Sequence, residues 1–366
     1  MDEASVSQST LDVCHLASCA VREEAPDAKR VAAMDLDAVY RVSERHLLAS
    51  ACSTALEAAG VVDDRFTQAR GKAIRKVAAM DLERARLFAL MDANGIWHAP
   101  LKGCVLEGVY PVYGMRQMSD NDILFDAGRA EEVRDMMASL GFSCEHFGRG
   151  AHDVYFKEPV CNFELHRMLF APTYDERTHA YYADPLRLLV PDRKGSFGLH
   201  FTDEDFYVYV TAHAHKHYSG GGTGLRTLLD TYVFLRERGE ALDWDHVRAE
   251  LATLGLTEFE QMCRVLSERV FEGEGLAKAD LAILAYVQDS GAYGTIAHSV
   301  AKQVARYGRA GYLLRRAFLP YDTMRTLYPV LGRMPLLLPA CWVHRWSSAL
   351  LTKRDKVAYQ LRAALK

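Results

Sequence analysis

The chain has 366 residues and a formal net charge of −4, with 49% hydrophobic and 25% charged residues. This balance is typical of a folded soluble protein that is long enough for two domains. No apolar run approaches the roughly 20 residues that span a bilayer, and the polar N-terminus lacks the pattern of a signal peptide, so we expect a cytoplasmic protein without a membrane partner.

Charge is unevenly distributed along the chain. Residues 301–366 contain 13 Lys and Arg against Asp322 and Asp355, a net charge of +11, so the overall −4 leaves −15 on residues 1–300. A basic segment of this kind attracts an anionic partner such as RNA or docks onto an acidic part of its own chain. The eight cysteines include no C-x-x-C pair, which argues against a zinc finger.

The first third of the chain is predicted to be helical. Residues 1–30 are polar and are predicted to form a poorly ordered N-terminus. Apolar positions recur at helical spacing over residues 35–59 and 64–93, and Asn94-Gly95 ends the second of these helices. We therefore predict an N-terminal helical region over residues 31–95.

The pattern changes after residue 95 to short apolar alternations that are typical of strands. Strands are predicted over residues 96–101, 118–125, 154–157 and 162–167, with helices over 103–110 and 129–140. The chain then returns to helical spacing over residues 203–218, 225–238, 245–254, 258–271 and 277–288. The sequence thus predicts an α/β core over residues 96–200 and a helical domain with a basic tail over 201–366.

Two carboxylates lie two residues apart on the strand predicted over 118–125. Asp120 and Asp122 would point to the same face of that strand and could share a metal ion. Glu164 is the best candidate for a third ligand, because it belongs to a polar stripe on another predicted strand. Three carboxylates form the oxygen-rich site that Mg²⁺ prefers, and phosphoryl transfer needs such an ion. Two acids at this spacing are by themselves also typical of solvated turns, so the surrounding motifs matter.

Four motifs follow one another between residues 100 and 166: Pro100-Leu101-Lys102-Gly103, Tyr110-Pro111, Arg116-Gln117-Met118-Ser119-Asp120-Asn121-Asp122-Ile123-Leu124 and Glu164-Leu165-His166. With these motifs, the stretch from residue 101 to 166 resembles a bacterial nucleotidyltransferase family of the polymerase-β superfamily. A weaker similarity continues through residues 213–217, Arg226 with Asp230, and residues 328–331. The resemblance implies an α+β fold, in which a polymerase-β-type core with a mixed sheet lies between N-terminal helices and a C-terminal helical domain.

The resemblance also implies roles for individual residues. Asp120, Asp122 and Glu164 would be catalytic and would hold Mg²⁺ or Mn²⁺. Gly103 would start a helix whose amides face the phosphates of a nucleoside triphosphate substrate. Further nucleotide-binding residues are predicted at Lys102, Arg116, Ser119, His217 and Arg226. Two of these have alternatives: Lys102 could form a structural ion pair, and His217 could lie at a helix C-terminus that favours positive charge.

The expected reaction is transfer of a nucleoside monophosphate to an acceptor hydroxyl, with release of pyrophosphate. A protein side chain, a small molecule and an RNA end are all open as the acceptor. One departure concerns Cys104, which stands where relatives carry Gly or Ser in the phosphate loop. An alternative is therefore a non-catalytic nucleotide- or RNA-binding regulator, or a component of a toxin system, that uses the same cleft. A phosphohydrolase that uses the metals on water is the third hypothesis.

Overall fold

The computed structural model describes residues 5–148, 150–273, 275–352 and 354–365. It contains two compact units, Met1–His215 with Gly224–Ala292 and Lys216–Thr223 with Tyr293–Lys366. The units do not follow the domain boundary predicted at residue 200, because apolar side chains that follow residue 224, such as Leu229, share a core cluster with Val13 near the N-terminus. Within the described residues, every helix is too short or too polar to cross a membrane.

The first unit begins with helices α1 (Gln8–Val21), α2 (Ala28–Ala32), α3 (Leu36–Arg45), α4 (Ala49–Ala58) and α5 (Asp64–Ala93). Residues 8–21, which lie within the N-terminus predicted to be poorly ordered, form helix α1. Ser7 caps α1 by accepting a hydrogen bond from the backbone N–H of Thr10, and Leu16 lies fully buried among the helices. The helix predicted over 35–59 is two helices, because Leu47 has a left-handed backbone with φ 57°.

A mixed five-stranded sheet follows, and this confirms the predicted α+β class. Its strands are β1 (His98–Pro100), β2 (Asn121–Phe125), β3 (Ser143–His146), β4 (His152–Lys157) and β5 (Cys161–His166), in the order β1-β2-β5-β4-β3. Strands β2 and β5 are parallel, and the other neighbours are antiparallel. Two helices, α6 (Gly103–Leu106) and α7 (Ala130–Ser139), lie on either side of β2 in sequence.

The remainder of the first unit is mostly helical. It comprises α8 (Glu176–Tyr181), a hairpin of β6 (Leu189–Pro191) and β7 (Leu199–Phe201), α9 (Asp203–Gly220), α10 (Leu225–Arg238), α11 (Trp244–Leu254), α12 (Thr257–Glu272) and α13 (Lys278–Ser290). The five predicted helices of this region are confirmed. Strand β3, helix α8 and the small hairpin were not predicted, because their short segments carry little periodic signal. The last five residues of α9 belong to the second unit.

The second unit contains α14 (Ile296–Ala317), α15 (Tyr321–Leu327), α16 (Leu338–Thr352) and α17 (Arg354–Leu365). Its described apolar residues form two small clusters. One contains Val300, Tyr312 and Ala364, and the other is centred on Met324 and Leu331. The helical character predicted for this part of the chain is confirmed.

Candidate active site

The parallel pairing of β2 with β5 brings two predicted metal ligands side by side. Asp122 and Glu164 are direct register partners, so their side chains leave the sheet on the same face. Asp120 lies just before β2, two residues from Asp122 along the same strand direction. The structure therefore gathers at this end of the two strands the three carboxylates that the sequence singled out.

Asp122 is the most buried carboxylate of this group, with 4% of its surface exposed. Its Oδ1 accepts a hydrogen bond from Lys102 Nζ at 2.6 Å and lies 2.8 Å from His166 Nε2. Burial acts to raise the pKa of Asp122, but the charge of Lys102 and the hydrogen bond from His166 outweigh it and hold the pKa well below its usual range. Asp122 is therefore a permanent anion.

Asp120 is in a different electrostatic environment. Burial and the nearby charge of Asp122 raise the pKa of Asp120 to about 6, although the charges of Lys102, Arg226 and Lys76 act against this. Two neighbouring carboxylates repel each other when both are ionised, and a bound cation would relieve that repulsion. The pair thus has the charge distribution of a cation site.

Glu164 lies between two histidines on the same face of the sheet. Its Oε2 is 3.6 Å from His152 Nε2 and 3.8 Å from His166 Nε2. Burial and the charge of Lys102 lower the pKa of His166 to about 4, so this imidazole is neutral near pH 7. The sequence placed His166 on the polar stripe without a role, and it missed His152, whose position depends on the pairing of β4 with β5.

The segment between β1 and α6 holds Lys102 in an unusual backbone conformation. Lys102 has φ 45°, a region that side chains other than glycine rarely adopt, and such strain is concentrated at functional sites. Gly103 begins helix α6, as predicted. A Cβ atom on Gly103 would lie 2.7 Å from Arg116 Nη1, so glycine is required here for close packing.

Cys104, the residue that departs from the family pattern, has a structural contact. Its Sγ donates a hydrogen bond to Asn121 Oδ1 at 3.3 Å, and burial raises the pKa of the thiol to about 12. Asn121 also accepts a hydrogen bond from Arg84 Nη1 at 2.8 Å and donates one to Met80 O at 3.1 Å. These bonds fix the first residue of β2 against helix α5, next to Asp120 and Asp122.

Arg116 forms a separate buried cluster with helix α10. Its Nε and Nη2 donate to Asp230 Oδ1 and Oδ2 at 2.8 and 2.9 Å, a bidentate geometry. Tyr110 Oη donates a further hydrogen bond to Asp230 Oδ1 at 2.8 Å. The structure thus shows Arg116 bound to a carboxylate, and its contact with a nucleotide stays a prediction.

The three other residues predicted to bind the nucleotide are Arg226, Ser119 and His217. Arg226 Nη1 donates a hydrogen bond to Gln117 O at 2.9 Å, and the charge of Arg226 acts to lower the pKa of Asp120. The backbone oxygen of Ser119 accepts a hydrogen bond from Lys76 Nζ at 2.8 Å, and sequence reasoning gave Lys76 no role. His217 is exposed and belongs to the second unit, and its role stays a prediction.

Comparison with known protein families places this geometry in context. A family model described as an uncharacterised nucleotidyltransferase matches residues 32–272, more than half of the chain. The chain belongs to this family. No curated protein and no solved structure is significantly similar to this nucleotidyltransferase. The matched range covers helix α5, the whole five-stranded sheet and the pair of Arg116 with Asp230, so all the carboxylates described above lie within it.

Nucleotidyltransferases generally use a nucleoside triphosphate and divalent metal ions. The donor set of this chain fits such ions, because Asp120, Asp122 and Glu164 supply carboxylate oxygens and the raised pKa of Asp120 reflects negative charge that a cation would balance.

Proposed function

We propose that this nucleotidyltransferase moves a nucleoside monophosphate from a nucleoside triphosphate to an acceptor hydroxyl. In the proposed site, Asp120, Asp122 and Glu164 hold Mg²⁺ or Mn²⁺. The observation that carries the proposal is the register of β2 and β5, which pairs Asp122 with Glu164 two residues after Asp120. The family match supports the general reaction class, and the three carboxylates support its dependence on a divalent cation.

The proposed reaction forms one bond and breaks one. The acceptor oxygen attacks the α-phosphorus, the bond from that phosphorus to the bridging oxygen breaks, and pyrophosphate leaves. When bound, the divalent ions neutralise negative charge on the triphosphate and on the entering and leaving oxygens. We assign the proton of the acceptor hydroxyl to Glu164, a partly exposed carboxylate with 24% of its side chain exposed.

Basic side chains around the carboxylates support this assignment. Lys102 contacts Asp122 directly, and the charges of Lys76 and Arg226 lower the pKa of Asp120. Three cations beside three carboxylates complement a triphosphate that arrives with its own metal ions. We therefore propose Lys76, which the sequence did not single out, as an additional group on the phosphate side of the site.

The test is a parallel assay of pyrophosphate and inorganic phosphate release with each of the four nucleoside triphosphates and Mg²⁺. Candidate acceptors from the three open classes, protein, small molecule and RNA, are added in turn. We expect pyrophosphate release by the wild type and none by the Asp122→Asn variant. The matched control is Asp135→Asn, because Asp135 is a 73% exposed carboxylate on α7 that forms a surface pair with Arg134.

The same assay separates the proposal from its two alternatives. A phosphohydrolase would release inorganic phosphate. A binding-only regulator would release neither product. Calorimetry would then show that the wild type binds nucleotide and that the Asp122→Asn variant binds it more weakly. Either of these results would refute the proposed transfer reaction.

A further inference from the structure

Two histidines and one glutamate converge at the paired ends of β4 and β5. His152 and His166 are direct register partners on these antiparallel strands, so their side chains share one face of the sheet. Glu164 lies two residues before His166 and therefore points to that same face. Three side chains from only two strands thus meet without any contribution from loops.

The three side chains bring their ligand atoms close together. One ligand atom from each of His152, Glu164 and His166 lies within 4.8 Å of the others, and the two imidazole rings are 5.0 Å apart. Glu164 Oε2 is 3.6 and 3.8 Å from the two Nε2 atoms. Ligands at about 2.0–2.1 Å from a tetrahedral metal ion are about 3.3 Å from each other, so a small closure of these side chains would complete the geometry.

Contacts within the protein leave part of this cluster unexplained. His166 is buried, and within the described part of the chain its Nδ1 has no hydrogen-bond partner. The Nε2 atom of the same ring lies 2.8 Å from Asp122 Oδ1 and 3.8 Å from Glu164 Oε2, so Nε2, and not Nδ1, faces the other ligands.

The chemistry of these ligands differs from that of the neighbouring aspartates. Imidazole nitrogen favours first-row transition metals, whereas a site of carboxylate oxygens alone suits Mg²⁺. We propose that His152, Glu164 and His166 bind a divalent transition-metal ion, Zn²⁺, in preference to Mg²⁺. The site shares Glu164 with the proposed nucleotidyltransferase centre, but it does not depend on that activity, because the ion binds without nucleotide.

The proposed site also connects the two sets of ligands. His166 Nε2 is 2.8 Å from Asp122 Oδ1, so a metal ion at this nitrogen displaces that hydrogen bond and leaves Asp122 adjacent to the ion. Asp122 is then available as a fourth ligand. The carboxylates of Asp120 and Asp122 would thus lie next to the metal site formed by His152, Glu164 and His166.

The test measures metal binding on the full-length protein after removal of metals with a chelator. Calorimetric titrations use Zn²⁺ and Mg²⁺ alone. We expect Zn²⁺ to bind more tightly than Mg²⁺. His152→Gln should weaken zinc binding at least about tenfold, the lower end of the loss that follows removal of groups supporting a metal site.

Two further variants make the result specific. His146→Gln removes an exposed histidine of the neighbouring strand β3 and should leave zinc binding unchanged. Asp120→Asn should abolish nucleotidyl transfer and retain zinc binding, so failure of one proposal is distinguishable from failure of the other. Zinc affinity that is unchanged in His152→Gln would overturn the inference.

Discussion

Two cation–carboxylate clusters lie near Gly103, and they differ in how completely they are paired. In the first, Lys102 and His166 both contact one oxygen of Asp122, while Asp120 and Glu164 add further negative charge. In the second, Arg116 and Tyr110 satisfy Asp230 through a bidentate pair and a hydroxyl. We call these the Asp122 cluster and the Asp230 cluster.

The difference between the clusters distinguishes a ligand-binding site from an ion pair that only connects two elements of the fold. The Asp230 cluster connects the segment before β2 to helix α10, and its geometry is complete without a ligand. The Asp122 cluster contains a carboxylate with a raised pKa, a strained lysine and an imidazole nitrogen without a partner in the described residues. Such incomplete pairing destabilises a protein, and it is expected where a ligand completes the pairing.

The largest effect is expected from Arg116→Ala, which breaks the Asp230 cluster. It leaves Asp230 buried without a cation, and removal of one partner of a buried pair costs about 3–5 kcal/mol. Arg116→Lys should recover only part of this, because an ammonium group cannot make the bidentate contact. Urea denaturation measures both values, and a loss below about 1 kcal/mol, the range of surface ion pairs, would show that the cluster is not structural.

The next prediction concerns the Asp122 cluster, where a substitution should raise the stability of the protein instead of lowering it. The folded-state pKa of Asp120, about 6, is above its ordinary value of 3.8, so the folded protein binds more protons and loses stability as pH rises through this interval. Asp120→Asn removes that loss. In metal-free buffer at pH 8 it should stabilise the protein by about 1–3 kcal/mol, and the gain should shrink as pH falls through 6.

Thermal melting at pH 8 and at pH 5 measures this pH dependence. Asp135→Asn serves as the control for loss of one negative charge, because its carboxylate is exposed. Equal melting temperatures of the wild type and Asp120→Asn at pH 8 would mean that the two neighbouring carboxylates do not repel each other.

An effect of similar size is expected from Gly103→Ala, which acts on both clusters. The added Cβ would lie 2.7 Å from Arg116 Nη1 and 3.0 Å from Met118 Sδ, so these side chains must move. Overpacking of this kind costs about 1–3 kcal/mol. Because Gly103 follows Lys102, we also expect reduced nucleotidyl transfer, whereas a stability loss with unchanged transfer would show that the two clusters are independent.

The smallest effect is expected from Tyr110→Phe. This change removes one hydrogen bond from Asp230 and leaves the bidentate pair in place, so we expect a loss of about 1 kcal/mol. Nucleotidyl transfer should be unchanged, because the hydroxyl of Tyr110 donates its hydrogen bond to Asp230 and not to a carboxylate of the Asp122 cluster. A matched loss of transfer would place Tyr110 in the reaction instead.

Local signals explain what the sequence could predict. Helix α5 was predicted with its observed bounds, because its apolar spacing and terminal Asn94-Gly95 are local features. The alternation around Asp122 and Glu164 predicted that both would leave their strands on a polar face. Their pairing in register is a property of the assembled sheet.

Some missed features depend on a strand boundary, and others depend on contacts between distant parts of the chain. His152 was missed because the strand predicted over 154–157 begins two residues earlier, at His152. Helix α1 was missed because its sequence is rich in small and polar residues, and its burial comes from packing against helices α3, α4 and α12. The partner of Arg116 was likewise a residue of helix α10, more than 100 positions away.

The most direct test of the account is label transfer from α-labelled nucleoside triphosphates with a divalent ion, comparing the wild type with the Asp120→Asn/Asp122→Asn double variant. We expect the wild type alone to transfer label to an acceptor. The double variant should transfer none, although a thermal melting transition shows that it is folded. Equal labelling by both proteins would contradict it, because the carboxylates of the Asp122 cluster would then have no part in the reaction.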